Sequence, residues 1–320
     1  MLTNSTLSPY HKGLLLTAAG PLIISPDALL IKLIDLPDSQ MLFWRGLLTA
    51  LGYFIIVLLW HGKNTAAVFR RCGLVGLGVA GFFTLSSIGF VLGNHYTKGG
   101  NVLMILAGAP LFAALLSRAF LNERLPRRTW VAIGLCLIGT SLIVFDDAGA
   151  GSWVGNAFAL LAALGLAANF TLCRTRPGVD MSPMLSVAGL VLAALAPWIA
   201  DGGLGLPDAV QAGWLVLLCL VLLPAGFTLI QRGPLFLPAA EVSLLFLLET
   251  VAGTLWVWWA LGEQPSPLAF VGGALVLGTL LVKGLLERRL ERHPRAIAVR
   301  RDEERREQVE EGVLRHGWRR

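Results

Sequence analysis

Apolar residues run through this chain in long stretches, each about the length of a helix that crosses a bilayer, with polar and turn residues gathered between them. A hydrocarbon core about 30 Å thick calls for roughly 20 helical residues at about 1.5 Å each. Stretches of that kind occupy residues 13 to 33, 41 to 60, 73 to 92, 101 to 120, 129 to 145, 153 to 173, 183 to 200, 212 to 231, 238 to 261 and 266 to 286. The pattern predicts an all-α integral membrane protein with ten transmembrane helices. The first stretch does not read as a cleaved signal sequence. It is too long, contains Pro21, Pro26 and Asp27, and lacks a small-residue cleavage site.

Composition narrows the class. The 320 residues are 55% hydrophobic and 14% charged, against roughly 45–50% apolar and about 25% charged in an ordinary soluble domain. A soluble enzyme and a disordered chain are both excluded. Residues 287 to 320 hold 11 of the 26 Lys/Arg and 8 of the 20 Asp/Glu. This tail mixes both signs and is interrupted by Pro294, which predicts a cytoplasmic extension, partly helical or disordered, with a membrane-surface or docking role as the alternative.

The charge left in the body sets a direction. With a cytoplasmic N-terminal segment over residues 1 to 12, the inner loops carry Lys12, Lys63, Arg70, Arg71, Arg118, Arg124, Arg127, Arg128, Arg174, Arg176 and Arg232, and only Lys32, Arg45 and Lys98 fall outside. Eleven against three is a strong positive-inside bias, which places both termini in the cytoplasm and the chain in the plasma (inner) membrane. The net charge of +6 is therefore read as topology. No nucleic-acid partner is expected.

Cofactor chemistry finds no support. Cys72, Cys136, Cys173 and Cys219 lie far apart, with no CxxC and no histidine at ligand spacing, so they read as apolar fillers and neither a metal nor another cofactor is expected. HExxH, GxSxG and the phosphate-binding GxxxxGK[ST] are all missing from the sequence.

The body reads as two copies of one unit. A shift of 140 residues lays 100 to 137 over 240 to 277, matching Val102 with Val242, Leu121 with Leu261 and Glu123 with Glu263. Five spans separate the copies, and an odd number turns the second upside down. The predicted units are a first five-helix repeat over residues 13 to 145 and an inverted second over 153 to 286. Inverted repeats are characteristic of secondary transporters, with substrate near the midplane.

HYTKGGNVLMILAGAPLFAALLSRAFLNERL and LPAAEVSLLFLLETVAGTLWVWWALGEQPS resemble the two defining segments of the EamA family in the drug/metabolite transporter superfamily. The resemblance covers about residues 13 to 284 and implies ten helices in two inverted five-helix repeats, in proteins that carry amino acids, other metabolites and drugs. Pro110 and Glu123 match the proline and corner glutamate of the first repeat, although Asn122 departs from the Gly-Glu-Arg-like corner; Glu263 matches the second corner. Leu248-Glu249-Thr250 stands where the family often has Leu-Glu-Pro, so the kinking proline is missing here.

Candidate chemistry lies at polar groups inside spans. Glu249, about 14 Å deep, must face water or a partner, because a central acid costs about 2.5 to 3.5 kcal/mol. It is expected to bind a substrate cation or exchange a proton; the alternative is a protonated side chain bonded between packed helices. Ser25-Pro26-Asp27 reads as a helix restarting within the membrane, with Ser25 as N-cap and Pro26 in the first turn. Asp27 then either faces a central cavity or only caps the restart and pairs with Arg45 or Lys32. Arg45, after Trp44, is expected to snorkel to the outer interface, with a clamp on a carboxylate or phosphate as the alternative. Trp256, with Trp258 and Trp259, stacks on a flat substrate or belongs to the interfacial belt. Tyr96 and Asn101 form an outer gate or cap helices. Asn169 must find a polar partner.

These observations favour a secondary transporter, an exporter of small organic metabolites, amino-acid-like compounds or drugs, working by alternating access and coupled to the proton gradient or to exchange. A lipid-linked carrier or flippase and a membrane-embedded enzyme are the alternatives.

Overall fold

The computed structural model of the protein describes residues 9–97, 102, 105–123, 125–144, 153–199, 203, 205–261, 267–268, 270–283 and 285–286. Every regular element among them is helical. Met1–Leu280 form one compact unit, and Leu281–Arg320 a second. In chain order the helices are α1 (Pro9–Ile24), α2 (Asp27–Ile34), α3 (Asp38–His61), α4 (Thr65–Tyr96), α5 (Ala109–Phe120), α6 (Arg127–Val144), α7 (Trp153–Arg174), α8 (Met184–Ile199), α9 (Ala209–Leu215), α10 (Leu223–Gln231), α11 (Ala239–Phe246), α12 (Leu248–Leu261) and α13 (Phe270–Lys283).

Four helical segments are long and apolar enough to cross a membrane, Tyr10–Ile31, Asp38–Tyr96, Trp153–Arg174 and Ala209–Leu235, with Ala109–Phe120, Met184–Ile199 and Phe270–Lys283 as shorter apolar helices. Large apolar side chains point outward, including Leu74 at 84% exposure and Trp198 at 86%. In water such a surface would aggregate; in lipid it is the solvent-matched face. The chain is a multi-pass membrane protein.

Local chemistry explains where helices stop. The 59-residue segment Asp38–Tyr96 would be roughly 90 Å long if straight, so it has to turn. It does so at Gly62 (φ 51) and the 3₁₀ turn Gly62–Asn64, and again at Gly73 (φ 57, ψ −154), a backbone conformation open to glycine. Between α9 and α10 the chain widens into a π-helical stretch, Val216–Leu222. Pro224 follows directly, where the missing N–H would leave a gap in an ordinary ladder.

Three interruptions fall inside apolar stretches. The first separates α1 from α2 at Ser25-Pro26, with Pro26 rather than Ser25 in the N-cap position and no side-chain cap bond. The expected Ser25 cap is therefore corrected: its hydroxyl turns back and donates to the Leu22 carbonyl at 2.8 Å. That carbonyl is the one Pro26, lacking an N–H, cannot bond. The second lies at Ala107-Gly108, just before α5, which carries Pro110 in its first turn. The third lies at Leu247, before α12. There the Leu247 N–H takes a short-range bond to Leu244 O at 3.2 Å, which tightens the turn between α11 and α12.

Packing depends on small residues. The most extensively packed helix pairs are α4 with α7 and α3 with α8, followed by α1 with α10 and α4 with α8, and then by α5 with both α7 and α11. A Cβ on Gly46 would sit 2.7 Å from Gly189 O, and one on Gly189 would sit 2.7 Å from Gly46 O. Gly20 and Gly226 make the same mutual approach between α1 and α10, and Gly139 lies against Gly272 between α6 and α13. Such contacts let backbones meet where side chains supply no hydrophobic drive against lipid.

The same substitution at two glycines tests this packing. Gly189→Ala should cost about 1–3 kcal/mol of stability through overpacking. Gly134→Ala, with nothing within 4 Å of its Cβ position, should be neutral or gain up to about 1 kcal/mol from helix propensity. Thermal unfolding in detergent separates them, and equal shifts would contradict the account.

Candidate functional site

The interruption at Ser25-Pro26 places Asp27 in the first turn of α2, well inside the bundle. There the positive end of the helix dipole favours a carboxylate. Arg45, two turns into α3, reaches it with both terminal nitrogens: Nη1 donates to Oδ1 and Nη2 to Oδ2, each at 2.8 Å. The side chains are 10% and 4% exposed. The fork geometry matches two parallel bonds to one carboxylate, which a lysine could not make. Arg45 therefore does not snorkel. The expectation failed because the pair joins residues 18 apart in sequence through a helix break, and desolvation is tolerable only with both donors bonded.

This pair forms part of the wall of a cavity that Glu249 also lines. Glu249 is in the first turn of α12. Its Oε2 is buried and has no hydrogen-bond partner among the described residues. Buried polar atoms in folded proteins nearly always have a partner, so this carboxylate oxygen is the polar group that the described walls of the cavity leave unsatisfied. Thr49 and Tyr53 continue the line of Arg45 along α3, and Ser86 and Ser87 add hydroxyls from α4. The remainder of the lining is apolar and aromatic. Phe83 meets Phe227 edge to face at 5.1 Å, and Phe227 lies 5.9 Å from Phe246. Charged groups and aromatic rings lining one chamber suit a small organic solute with an ionic head and an apolar body.

The other expected residues are placed elsewhere. Trp44 donates its indole N–H to Gly205 O at 3.1 Å and is not among the cavity-lining residues. Tyr96 is half exposed and stacks on Phe158 at 5.8 Å, while its neighbour His95 meets Asp38 at 2.9 Å. Asn169 is fully buried and donates to Val79 O at 2.9 Å, which ties α7 to α4. Trp256 donates to Ser25 Oγ at 2.9 Å instead of lining the cavity. Pro110 is buried in the first turn of α5, and Glu123 accepts from Arg174 Nη2 at 2.6 Å. Arg174 also donates to Pro234 O, so this corner joins three elements. Asn101 and Glu263 lie outside the described residues.

Some lining residues carry a signal in the sequence. Arg45, Thr49 and Tyr53 recur every four residues, a polar stripe on an apolar helix. The phenylalanines carry none, because one aromatic in an apolar span looks like any other. Among the described residues no group of three or more His, Cys, Asp or Glu side chains gathers as metal ligands would.

The EamA-like transporter family matches residues 11–145. That stretch of the chain belongs to this family. Relatives are named as transporters. One is 30% identical over 202 residues and is called a probable terminal-alkyne amino-acid exporter of Streptantibioticus cattleyicolor. An uncharacterized transporter of Archaeoglobus fulgidus is 26% identical over 214 residues, and the uncharacterized transporter YwfM of Bacillus subtilis is 28% identical over 196. These matches cover 59%, 65% and 57% of this chain, and 66%, 75% and 63% of the respective relatives. A solved crystal structure, 19% identical, superposes with a TM-score of 0.74 over 88% of this chain and 99% of its own, which establishes the fold. The fold shared with that structure carries the cavity just described.

Breaking the buried pair one side at a time should be costly. Asp27→Asn is expected to destabilise the protein by about 3–5 kcal/mol by leaving Arg45 uncompensated, whereas Asp27→Leu combined with Arg45→Met should recover most of that loss. An Asp27→Asn variant that unfolds at the parent's temperature would contradict the pairing.

Proposed function

We propose that the chain is a secondary carrier that exports small organic solutes by alternating access between two inverted halves, residues 13 to 145 and 153 to 286, with both termini in the cytoplasm of a cell bounded by this membrane. The observation that carries this reading is the charge inventory of the cavity. Asp27 and Arg45 neutralise one another, and Glu249 remains with a free buried oxygen. A third charge without a counter-ion is expensive inside a membrane, so Glu249 takes either a proton or a cationic group of the solute. One site that accepts both in turn couples outward solute movement to inward proton movement. The aromatic wall receives the solute's apolar part.

The pairing of helices supports two related halves. Advancing each helix by one repeat turns the α4 and α7 contact into that of α10 and α1, and returns α3 with α8, α5 with α11, and α6 with α13 onto themselves. The interruptions at Ala107 and Leu247 stand 140 residues apart, the same shift that aligns the two copies in sequence. A two-fold axis in the membrane plane has these consequences. The solute class fits an amine-bearing, amino-acid-like compound, in keeping with the activity named for the Streptantibioticus cattleyicolor relative.

A lipid flippase needs a head-group clamp, and the guanidinium suited to that role is already bonded on both nitrogens to Asp27. The carrier reading is therefore preferred.

Reconstituted full-length protein should catalyse counterflow of radiolabelled L-leucine or L-phenylalanine, or of their decarboxylated amines, into proteoliposomes. Glu249→Gln should lower that flux at least about tenfold, the effect of losing roughly 1.4 kcal/mol, and should remove its pH dependence. Equal flux in the two proteins, or scrambling of a labelled lipid without solute flux, would overturn the proposal.

A further inference from the structure

Glu249, Gly253 and Trp256 are spaced four and three residues apart, which places them on one face of α12. All three meet the interruption of the first helix. Glu249 lines the cavity together with Asp27, the first residue after the break. A Cβ on Gly253 would lie 3.2 Å from Ser25 O, so the two backbones approach closely enough that a side chain there would press on that carbonyl. Trp256 Nε1 donates to Ser25 Oγ at 2.9 Å, and Ser25 Oγ donates onward to Leu22 O at 2.8 Å. Pro26 has no N–H with which to bond that carbonyl. Ser25 supplies the missing bond, and the indole of Trp256 fixes the serine hydroxyl in the rotamer that does so.

We propose that this face of α12 clasps the helix break, with Trp256 as the positioning residue that holds Asp27 opposite Glu249. The proposal rests on the carrier reading for its consequence: loading of Glu249 is transmitted to the start of α2 through one rigid helix face. Trp256 is 39% exposed. Its ring body faces outward and its N–H inward, a division of labour that an interfacial tryptophan can serve. From the packed helices, the charged groups facing Glu249 are Asp27 on α2 and Arg45 on α3, with the Tyr53 hydroxyl and the Cys219 thiol beside Arg45 as the neighbouring titratable groups. A change of charge at Glu249 therefore acts on the Asp27–Arg45 pair, on the break that carries Asp27, and on the bond that Trp256 makes to it.

The test uses the proton as probe and needs no solute. In the full-length protein in lipid nanodiscs, the ¹⁵N-indole resonance of Trp256, assigned by its loss in Trp256→Phe, should move through a single pH titration. That titration should vanish in Glu249→Gln. It should also vanish in Ser25→Ala, where the indole has lost its acceptor, and persist in Ser25→Thr, which keeps the hydroxyl. A resonance that ignores pH in the parent protein would overturn the clasp, as would one that titrates unchanged in either Glu249→Gln or Ser25→Ala. A titrating indole in a protein that moves no solute would leave the clasp standing and remove only the carrier reading.

Discussion

A buried ion pair inside a membrane constrains everything around it. Asp27 and Arg45 bond at 2.8 Å through both oxygens and both terminal nitrogens, in a position where either charge alone would be prohibitive. For Asp27 to reach Arg45, the first span has to stop and restart within the bilayer. For the span to stop there, the carbonyl that Pro26 abandons has to be satisfied by protein, and Ser25 does this with help from Trp256. The broken helix can sit close enough only because its neighbours offer glycines, as Gly20 and Gly226 do between α1 and α10. Charge pairing, helix interruption and small-residue packing are one coupled arrangement.

The arrangement leaves one acid over. Glu249 shares the cavity with the neutralised pair but keeps an oxygen without a protein partner among the described residues. A site that satisfied every polar group would be a structural core. That unbonded carboxylate oxygen beside phenylalanine walls is the feature on which the proposed transport chemistry rests.

The long apolar stretches are legible because burial in lipid demands them: α3, α7 and the α9–α10 segment overlie stretches 41 to 60, 153 to 173 and 212 to 231. The interruption near Pro26 is legible because proline removes a specific donor. The inward aim of Glu249 is legible because no other orientation is affordable in hydrocarbon. For Arg45 the sequence favours snorkelling and offers the pairing with Asp27 only as the alternative, because position along a span does not reveal which other helix stops beside it. Trp44, Tyr96 and Asn169 have the right chemistry for a site, but Trp44 and Asn169 donate to Gly205 O and Val79 O and Tyr96 stacks on Phe158. The phenylalanines of the cavity carry no mark at all. Their roles come from tertiary packing, and a single apolar alphabet does not encode which face of a helix turns inward.

The central claim is that a hydrated cavity holding these charges lies within the bilayer. Cysteine accessibility tests it most directly, since the four native cysteines are buried. Ser87 lines the cavity, whereas Leu85, two residues away on α4, points outward. In membranes, Ser87→Cys should react with a small charged methanethiosulfonate and Leu85→Cys should not, because lipid sustains no thiolate. Reaction at residue 85 with none at residue 87 would contradict the cavity and the account built on it.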